Sequence, residues 1–583
     1  MEPKEILQKA EKYILMEEHP VFLEEVKQLI ADNNIKELSE RFWRDLDFGT
    51  GGMRGLIGGG DNRINTYVIR KATQGLANYI ISHVPASERA VAISFDSRHY
   101  SDVFAEEAAL VLAANDIRVW LTPALRATPF LSYAVRELGC CAGIMVTASH
   151  NPAGYNGYKV YWSDGAQVVP PHDKGIITEV RSVSGKVAAM NRTEAEQKNL
   201  LKMTDSNLDN AYRSMVSGQS LNSDLIRKQG KNIKVIYTPL HGTGTFHVEG
   251  VFKSMGIPLI TVPQQREPDG DFPTVKYPNP ETAEALQMGL ELARREKADL
   301  LMATDPDSDR LGIAVPEGDE WVLLTGNQLG ALLTDYIFRT LKEKGQLPAN
   351  PAFINTVVTS EFQNRIAESY GAASFRVLTG FKYIGEKIRQ FEADSTYSYV
   401  FGGEESYGFL VGTSVRDKDA VSAAAMTAEM ALWNLNRGMT VMEHLKELWS
   451  KFGYWQELLI SREFQGQAGV ETMNALMSSL RSAPPADIAG KPVSLMRDYQ
   501  EGTTLDMSSG KKERDIQLPS SNVLQFVLQD GSIITARPSG TEPKIKFYAS
   551  CYVDKARELE QARAEVSRYF QDLEVWLNGI MEN

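Results

Sequence analysis

The stretch Cys141-Ala142-Gly143-Ile144-Met145-Val146-Thr147-Ala148-Ser149-His150-Asn151-Pro152 sets the frame for the rest of the chain. Its first six residues are an unbroken apolar run of strand length, the pattern of a buried strand. The run ends in a polar turn, where Asn-Pro keeps the backbone out of the helical region. Ser149 is thereby presented on a loop at the end of a buried strand, a place where nucleophiles and phosphate acceptors tend to sit. Taken alone, a serine in such a turn is as readily structural. Working outward, strand-like segments at 91–95 and 118–121 alternate with helical patterns at 66–83, 101–115 and 128–137. Strands interleaved with helices predict an α/β domain on a parallel or mixed sheet.

The same order restarts twice. Lys234-Val235-Ile236-Tyr237 predicts a strand, followed by a helical stretch, a strand near 258–262, a helix at 281–296 and an apolar run at 299–303. After Gly326 come a helix (327–344), a strand (353–358), a helix (360–370) and short strands near 375–378 and 398–401. The C-terminal part differs. Two apolar strands, 522–528 and 532–537, flank the turn signal Gln529-Asp530-Gly531. A third strand (545–551) and an amphipathic helix (554–580) complete a small α+β unit, after a loop-heavy segment at 482–520. Residues 4–45 read as helical, and Phe48 to Gly55 as a glycine-rich loop. The fold class is therefore three related α/β domains with mixed sheets plus a C-terminal α+β domain. Boundaries fall near residues 210, 322 and 455, giving domains 1–210, 211–322, 323–455 and 456–583.

With 583 residues, the chain has room for several cores. A formal charge of −13 argues against a broad nucleic-acid footprint, so any phosphate must be held by local cations. Three cysteines, two of them adjacent, make no disulfide framework. No signal peptide and no apolar run of membrane-spanning length is read, so a cytoplasmic protein without membrane or nucleic-acid partners is expected.

Four segments carry chemistry. Asp305-Pro306-Asp307-Ser308-Asp309-Arg310 lies between two apolar runs. Three carboxylates at alternate positions repel one another unless a cation offsets them, and hard oxygen donors favour Mg²⁺ or Ca²⁺. A calcium EF-hand loop needs glycine at its sixth position and glutamate at its twelfth. Arg310 and Pro316 stand there, so this is no such loop, and three protein ligands leave places for phosphate oxygen or water, which favours Mg²⁺. Arg537-Pro538-Ser539-Gly540-Thr541 offers a guanidinium fork, hydroxyls and exposed amides, a cradle for a phosphate dianion. Gly402-Gly403-Glu404-Glu405-Ser406 follows a strand, with a carboxylate and a hydroxyl suited to sugar hydroxyls. Arg416 and Lys418 add cations downstream, and Arg54 in the glycine-rich loop can meet an anion. That loop does not continue as a dinucleotide fingerprint. A serine acceptor, a metal loop, a hydroxyl-reading loop and a phosphate loop together equip a chain for phosphoryl transfer on a sugar phosphate.

Together and in order, these segments resemble those of the α-D-phosphohexomutase superfamily, over nearly the full chain. Asp96-Ser97-Arg98, Asn156-Gly157-Tyr158-Lys159 and Thr379-Gly380-Phe381-Lys382 extend the match. Phe48 to Gly55 and the length look most like the phosphoglucomutase-2-like branch, which includes phosphopentomutases. The resemblance implies a four-domain cleft, with domains bearing in turn the phosphoserine, the metal, the sugar loop and the phosphate loop. It implies that Ser149 rests as phosphoserine and joins Asp305, Asp307 and Asp309 around Mg²⁺. The catalytic set would be Ser149, His150, Lys159 and Arg54, with Lys159 the candidate general base and His150 the runner-up. Arg54 and Lys382 are expected to lower the lysine pKa. Substrate binding would fall to Arg310, Thr379, Gly380, Lys382, Glu404, Ser406, Lys418, Arg537, Ser539, Gly540 and Thr541. The implied reaction interconverts glucose 1-phosphate and glucose 6-phosphate through glucose 1,6-bisphosphate. Phosphomannomutase, phosphopentomutase and a phosphoserine-type sugar phosphohydrolase are the alternatives, and a monomer or a dimer stays open. Two departures from relatives are Pro306 and Ser308, where many carry glycine, and Lys546, where some carry arginine.

Overall fold

The computed structural model describes residues 2–49, 51–464, 466–538 and 544–582, without the side chains of 466–468 and 582. The chain divides into two compact units. One comprises Met1–Gly326 and Phe381–Gly438, the other Asn327–Gly380 and Met439–Asn583.

In the first unit, helices Pro3–Met16, Pro20–Ala31 and Ile35–Phe42 bury Ile6, Ala10, Tyr13, Val26, Leu38 and Phe42 against one another. A six-stranded sheet follows, built from β1 (Gly52–Leu56), β2 (Ala90–Phe95), β3 (Arg118–Leu121), β4 (Ala142–Val146), β5 (Tyr155–Trp162) and β6 (Leu201–Met203). Its order is β1-β5-β4-β2-β3-β6. β4, β2, β3 and β6 run parallel, whereas β5 returns antiparallel beside β4 and β1 antiparallel beside β5. Helices Thr66–His83, Ser101–Ala114 and Thr128–Glu137 supply the crossovers, in close agreement with the expected segments. All five residues of β4 are buried, as an unbroken apolar run requires.

The glycine-rich segment differs from expectation. Residues 52–56 form the edge strand β1, with Met53 buried and Arg54 exposed. Gly52 lies at φ 136°, and a Cβ there would stand 1.9 Å from the Tyr158 carbonyl oxygen. Glycine here permits a close strand approach, not a flexible loop.

A second sheet repeats the plan with β7 (Val235–Thr238), β8 (Leu259–Thr261), β9 (Leu300–Thr304), β10 (Leu311–Glu317) and β11 (Glu320–Leu324), in the order β11-β10-β9-β7-β8. β7, β8 and β9 are parallel, and β10 folds back antiparallel on β9.

In the second unit, β12 (Pro351–Thr356) and β13 (Ala373–Val377) pair in parallel across helix Glu361–Ser369. The first unit holds the antiparallel hairpin of β14 (Ser398–Glu404) and β15 (Gly408–Val411). Helix Ala420–Asn436, apolar on nearly every face, is almost wholly buried in that unit.

The C-terminal part of the second unit is an antiparallel sheet. Its strands are β16 (Tyr454–Glu463), β17 (Asp487–Ile488), β18 (Lys491–Asp498), β19 (Thr503–Asp506), β20 (Lys512–Glu513), β21 (Leu524–Leu528), β22 (Ile533–Pro538) and β23 (Lys544–Val553). They follow the order β16-β23-β22-β21-β18-β19-β20, with β17 paired to β18. The segment 482–520 is therefore a ribbon of short strands. Its turn-rich composition hid β18, whose partner β21 lies about thirty residues further on.

One regularity ties fold to function. Three strands turn back through short connections into antiparallel partners: β4 to β5 across residues 147–154, β9 to β10 across 305–310, and β14 to β15 across 405–407. The serine segment, the acidic segment and the hydroxyl-reading segment occupy these three equivalent turns. Each contains a non-glycine residue in the left-handed region: Ser149 (φ 52°), Ser308 (54°) and Tyr407 (65°). Such residues are uncommon outside turns and functional sites.

Candidate active site

The serine turn is held from behind by an aspartate and an arginine buried together. Asp96, just past β2, accepts hydrogen bonds from the hydroxyls of Thr147 (2.6 Å) and Ser101 (2.8 Å), and Thr147 Oγ1 in turn accepts the Ser149 N–H at 2.8 Å. The Arg98 side chain, fully buried, lies 3.3 Å from Asp96 and donates to the carbonyls of Ser149, Asn151, Pro152 (2.8 Å) and Tyr155 (3.1 Å). Burial lowers the Arg98 pKa, with Asp96 pulling the other way. These bonds stabilise the left-handed backbone of Ser149, a conformation that costs roughly 1–2 kcal/mol for a residue with a Cβ.

The acidic turn comes to the same place. Ser149 Oγ donates to Asp305 Oδ2 at 2.8 Å, and Asp305 Oδ1 accepts the N–H groups of Asp309 and Arg310 at 3.1 Å each. Asp307 Oδ2 accepts Lys159 Nζ at 2.8 Å and the Thr128 hydroxyl at 2.9 Å. Asp309 Oδ2 lies 3.2 Å from Lys418 Nζ and 3.5 Å from Lys159 Nζ. All three aspartates are buried, and one oxygen from each lies within 4.8 Å of the others. Asp307 Oδ1 and Asp309 Oδ1 have no hydrogen-bond partner among the described residues. Buried carboxylate oxygens without donors are costly, and a hard divalent cation answers that cost. The donor set thus fits such an ion.

The turn is shaped by close packing from Thr238–Gly244. A Cβ on Gly242 would stand 2.3 Å from Pro306 Cα, and one on Gly244 would stand 2.0 Å from the Tyr237 hydroxyl. Thr243 and Ser308 hydroxyls meet at 3.1 Å.

Burial, then Asp307 and Asp309, drive the Asp305 carboxyl well above its usual range. Burial also acts to raise Asp307, but Lys159 and further hydrogen bonds outweigh it and hold that carboxyl low. Lys159 responds in kind: burial favours the neutral amine, yet Asp307 and Asp309 raise its pKa above the ordinary lysine value. This departs from the expected lowering by Arg54 and Lys382. The leading cation that lowers Lys159 is Lys418, and the two carboxylates outweigh it. His150 Nδ1 lies 3.1 Å from Ser149 Oγ. Burial, followed by Arg310 and Arg54, lowers the His150 pKa and leaves a neutral imidazole.

Around this centre, Arg54 Nη1 donates to Asn151 Oδ1 at 3.2 Å. Arg310 pairs with Glu281 and lies 3.8 Å from Asp309. Lys418 lies 3.3 Å from Asp417, which also accepts the Tyr161 hydroxyl at 2.7 Å. Glu404, buried at the end of β14, raises the pKa of both Arg310 and Lys418, after larger contributions from closer groups. Ser406 occupies the β14–β15 turn, and Lys382 is buried near the start of helix Phe381–Asp394. In the second unit, Thr379 and Gly380 follow β13, with the Thr379 hydroxyl buried and without a hydrogen-bond partner among the described residues. Arg537 lies on β22, in register with Lys546 on β23. Ser539, Gly540 and Thr541 lie outside the described residues.

The structure therefore gathers Ser149, His150, Lys159, Arg54, Asp305, Asp307, Asp309, Arg310 and Lys418 in one unit. Thr128, Glu281, Tyr161 and Asp417 were not singled out as site residues from sequence, because Thr128, Tyr161 and Asp417 act on partners more than one hundred residues away and Glu281 on Arg310, 29 positions on. Asp419 had a readable signal: it precedes an apolar helix, and its side chain accepts the N–H groups of Val421 and Ser422.

Comparison with known proteins gives a consistent picture. The profiles described as phosphoglucomutase/phosphomannomutase alpha/beta/alpha domains I, II and III match residues 45–186, 210–318 and 325–452. The C-terminal domain of the same family matches 497–568. A phosphoglucomutase of Staphylococcus epidermidis is 36% identical over 534 residues, 91% of this chain and 95% of the relative. A human phosphopentomutase is 33% identical over 587 residues, 97% of this chain and 95% of the relative. Among solved structures, the open form of the exocytosis-sensitive phosphoprotein parafusin from Paramecium has a TM-score of 0.68. It is 20% identical, with 92% of this chain and 96% of that one covered, and it shows the shared fold.

Proposed function

Because the chain belongs to the phosphoglucomutase/phosphomannomutase family, we propose that it interconverts glucose 1-phosphate and glucose 6-phosphate through a phosphoserine at Ser149. The observation that carries the reading is the 2.8 Å contact between Ser149 Oγ and Asp305, inside a buried triad with two carboxylate oxygens that have no hydrogen-bond partner among the described residues. Phosphoryl transfer needs an acceptor oxygen beside a cation that offsets the phosphoryl charge; the serine turn supplies the oxygen and the acidic turn the donors for such a cation. Asp305, Asp307 and Asp309, with an oxygen on Ser149, would hold Mg²⁺, which supplies charge neutralisation at the phosphoryl group.

The remaining work falls to the chain's own groups. As the bond between phosphorus and Ser149 Oγ breaks, a bond forms from phosphorus to the free sugar hydroxyl, whose proton passes to a base. Lys159, the base expected from sequence, is held as an ammonium by Asp307 and Asp309, so His150, its neutral ring lying beside Oγ, is the proposed base. The product of this half-reaction is glucose 1,6-bisphosphate, and the reverse transfer from its other phosphate restores phosphoserine. Arg54 and Arg310 are assigned to the transferring phosphate, Glu404 and Ser406 to the sugar hydroxyls, and Lys382 and Lys418 to charge beside the sugar phosphate. Thr379, Gly380 and Arg537, with Ser539, Gly540 and Thr541, are assigned to the phosphate that is not reacting.

A pentose phosphate is the second reading, favoured by the human phosphopentomutase, whose match spans 97% of this chain. Intact-mass spectrometry before and after adding glucose 1-phosphate with Mg²⁺, with peptide mapping of any phosphate, tests the proposal. Phosphate on Ser149 that exchanges with the glucose phosphate pool is the expected result. Exchange with ribose 1-phosphate alone would replace the substrate, and an unmodified Ser149 after priming with glucose 1,6-bisphosphate would refute the phosphoserine reading.

A further inference from the structure

We propose that Thr128 is a positioning residue for the acidic turn, its hydroxyl tying down one oxygen of Asp307 so that the other stays free for a divalent cation. The proposal rests on the reading of Asp305, Asp307 and Asp309 as a cation site.

Thr128 is fully buried and opens helix Thr128–Glu137, where the residue before it, Ala127, provides no side-chain cap. The first N–H groups of a helix need outside acceptors. Here the Thr128 N–H donates to the Asp307 carbonyl at 2.8 Å, and the Thr128 hydroxyl donates to Asp307 Oδ2 at 2.9 Å. A single residue of the serine-bearing sheet layer thus grips both the backbone and the side chain of an acid 179 positions away.

Asp307 Oδ2 has a second donor, Lys159 Nζ at 2.8 Å, while Asp307 Oδ1 has none among the described residues. The two tethers differ in kind. An ammonium repels a nearby dication, so a bond from Lys159 weakens as positive charge arrives. A hydroxyl carries no net charge and keeps its bond. Thr128 is therefore the tether compatible with a cation on the opposite oxygen. Asp305 follows the same rule, with neutral backbone N–H groups on its Oδ1, whereas Asp309 Oδ2 faces the ammoniums of Lys418 and Lys159. Groups that orient a metal ligand in this way are worth about 10- to 100-fold in metal affinity.

The test is titration of the full-length protein with Mn²⁺ alone, followed by electron paramagnetic resonance, for wild type, Thr128→Val, Thr128→Ser and Asp307→Asn. Valine keeps the shape and the backbone bond to Asp307 but removes the hydroxyl. The expected result is affinity weaker by about tenfold or more in Thr128→Val and near wild type in Thr128→Ser. Equal affinity in Thr128→Val and wild type overturns the proposal while the cation site stands. Equal weakening in Thr128→Val and Thr128→Ser also overturns it, because the serine retains the donor. If Thr128→Val does not fold, Thr128→Ala against Thr128→Ser keeps the comparison, since the two differ by the hydroxyl alone. Wild type without saturable Mn²⁺ binding removes the cation reading itself, and the proposal with it.

Discussion

Glu457→Gln should stabilise the second unit at neutral to alkaline pH and change little in acid. Glu457 lies on β16, paired with Ser550 on β23, whose hydroxyl stands 3.4 Å from its carboxylate. Burial pushes Glu457 up from 4.5 to about 7, and hydrogen bonds from Ser360 and Ser550 only partly oppose it. Between about pH 4.5 and pH 7 the folded chain binds more protons at this group than the unfolded chain does. Stability therefore falls as pH rises through that window and levels off above it. At 1.36 kcal/mol per pH unit, the ionised form costs at most ~3 kcal/mol near pH 8. Allowing for partial exposure, ~2 kcal/mol is the working figure. A neutral glutamine keeps polar contacts to the two serines without the buried charge. For a unit of 150–250 residues, that corresponds to a rise in Tm of roughly 4–8 °C. Differential scanning calorimetry of wild type and variant at about pH 5 and about pH 8 is the assay. An equal difference at both pH values, or a less stable variant at about pH 8, would refute the reasoning.

Three further outcomes are expected. Ser149→Ala should lose all exchange of phosphate between enzyme and sugar phosphate pool, read by radiolabel transfer; normal turnover would exclude Ser149 as acceptor. Arg98→Lys can serve at most three of the five acceptors that the guanidinium now reaches. It should lower kcat by about 100-fold through misplacement of Ser149, and an unchanged kcat would show that the serine turn holds itself. Gly242→Ala sets a Cβ 2.3 Å from Pro306 Cα, where only backbone can yield. It should cost ~1–3 kcal/mol and weaken Mn²⁺ binding together, so weakened stability with full Mn²⁺ affinity would separate that packing from the acidic turn.

Much of this molecule was legible in one dimension. The buried strands and crossover helices of the first sheet announced themselves because burial on both faces demands unbroken apolar runs, and Ala142–Val146 is one. The acidic turn was legible for a related reason: Asp305, Asp307 and Asp309 between two buried strands conflict with their surroundings unless something compensates them. Local signals failed where partners were remote. Residues 52–56 looked like a loop because glycine signals freedom, yet Gly52 is there to let Tyr158 approach. The ribbon at 482–520 hid behind turn residues, since its pairing energy comes from β21.

Sequence by itself determined the family, the repeated α/β plan and the chemical identity of the reacting groups, because these reside in residue types and short-range periodicity. Only the tertiary structure decided that three of the functional segments share equivalent turns between a strand and its antiparallel partner. It alone put Ser149 Oγ on Asp305, set Lys159 between two carboxylates and brought Thr128 to Asp307. Hydrogen bonds and ion pairs act over a few ångströms of space and take no account of the residues between, so those assignments had to wait for the folded chain.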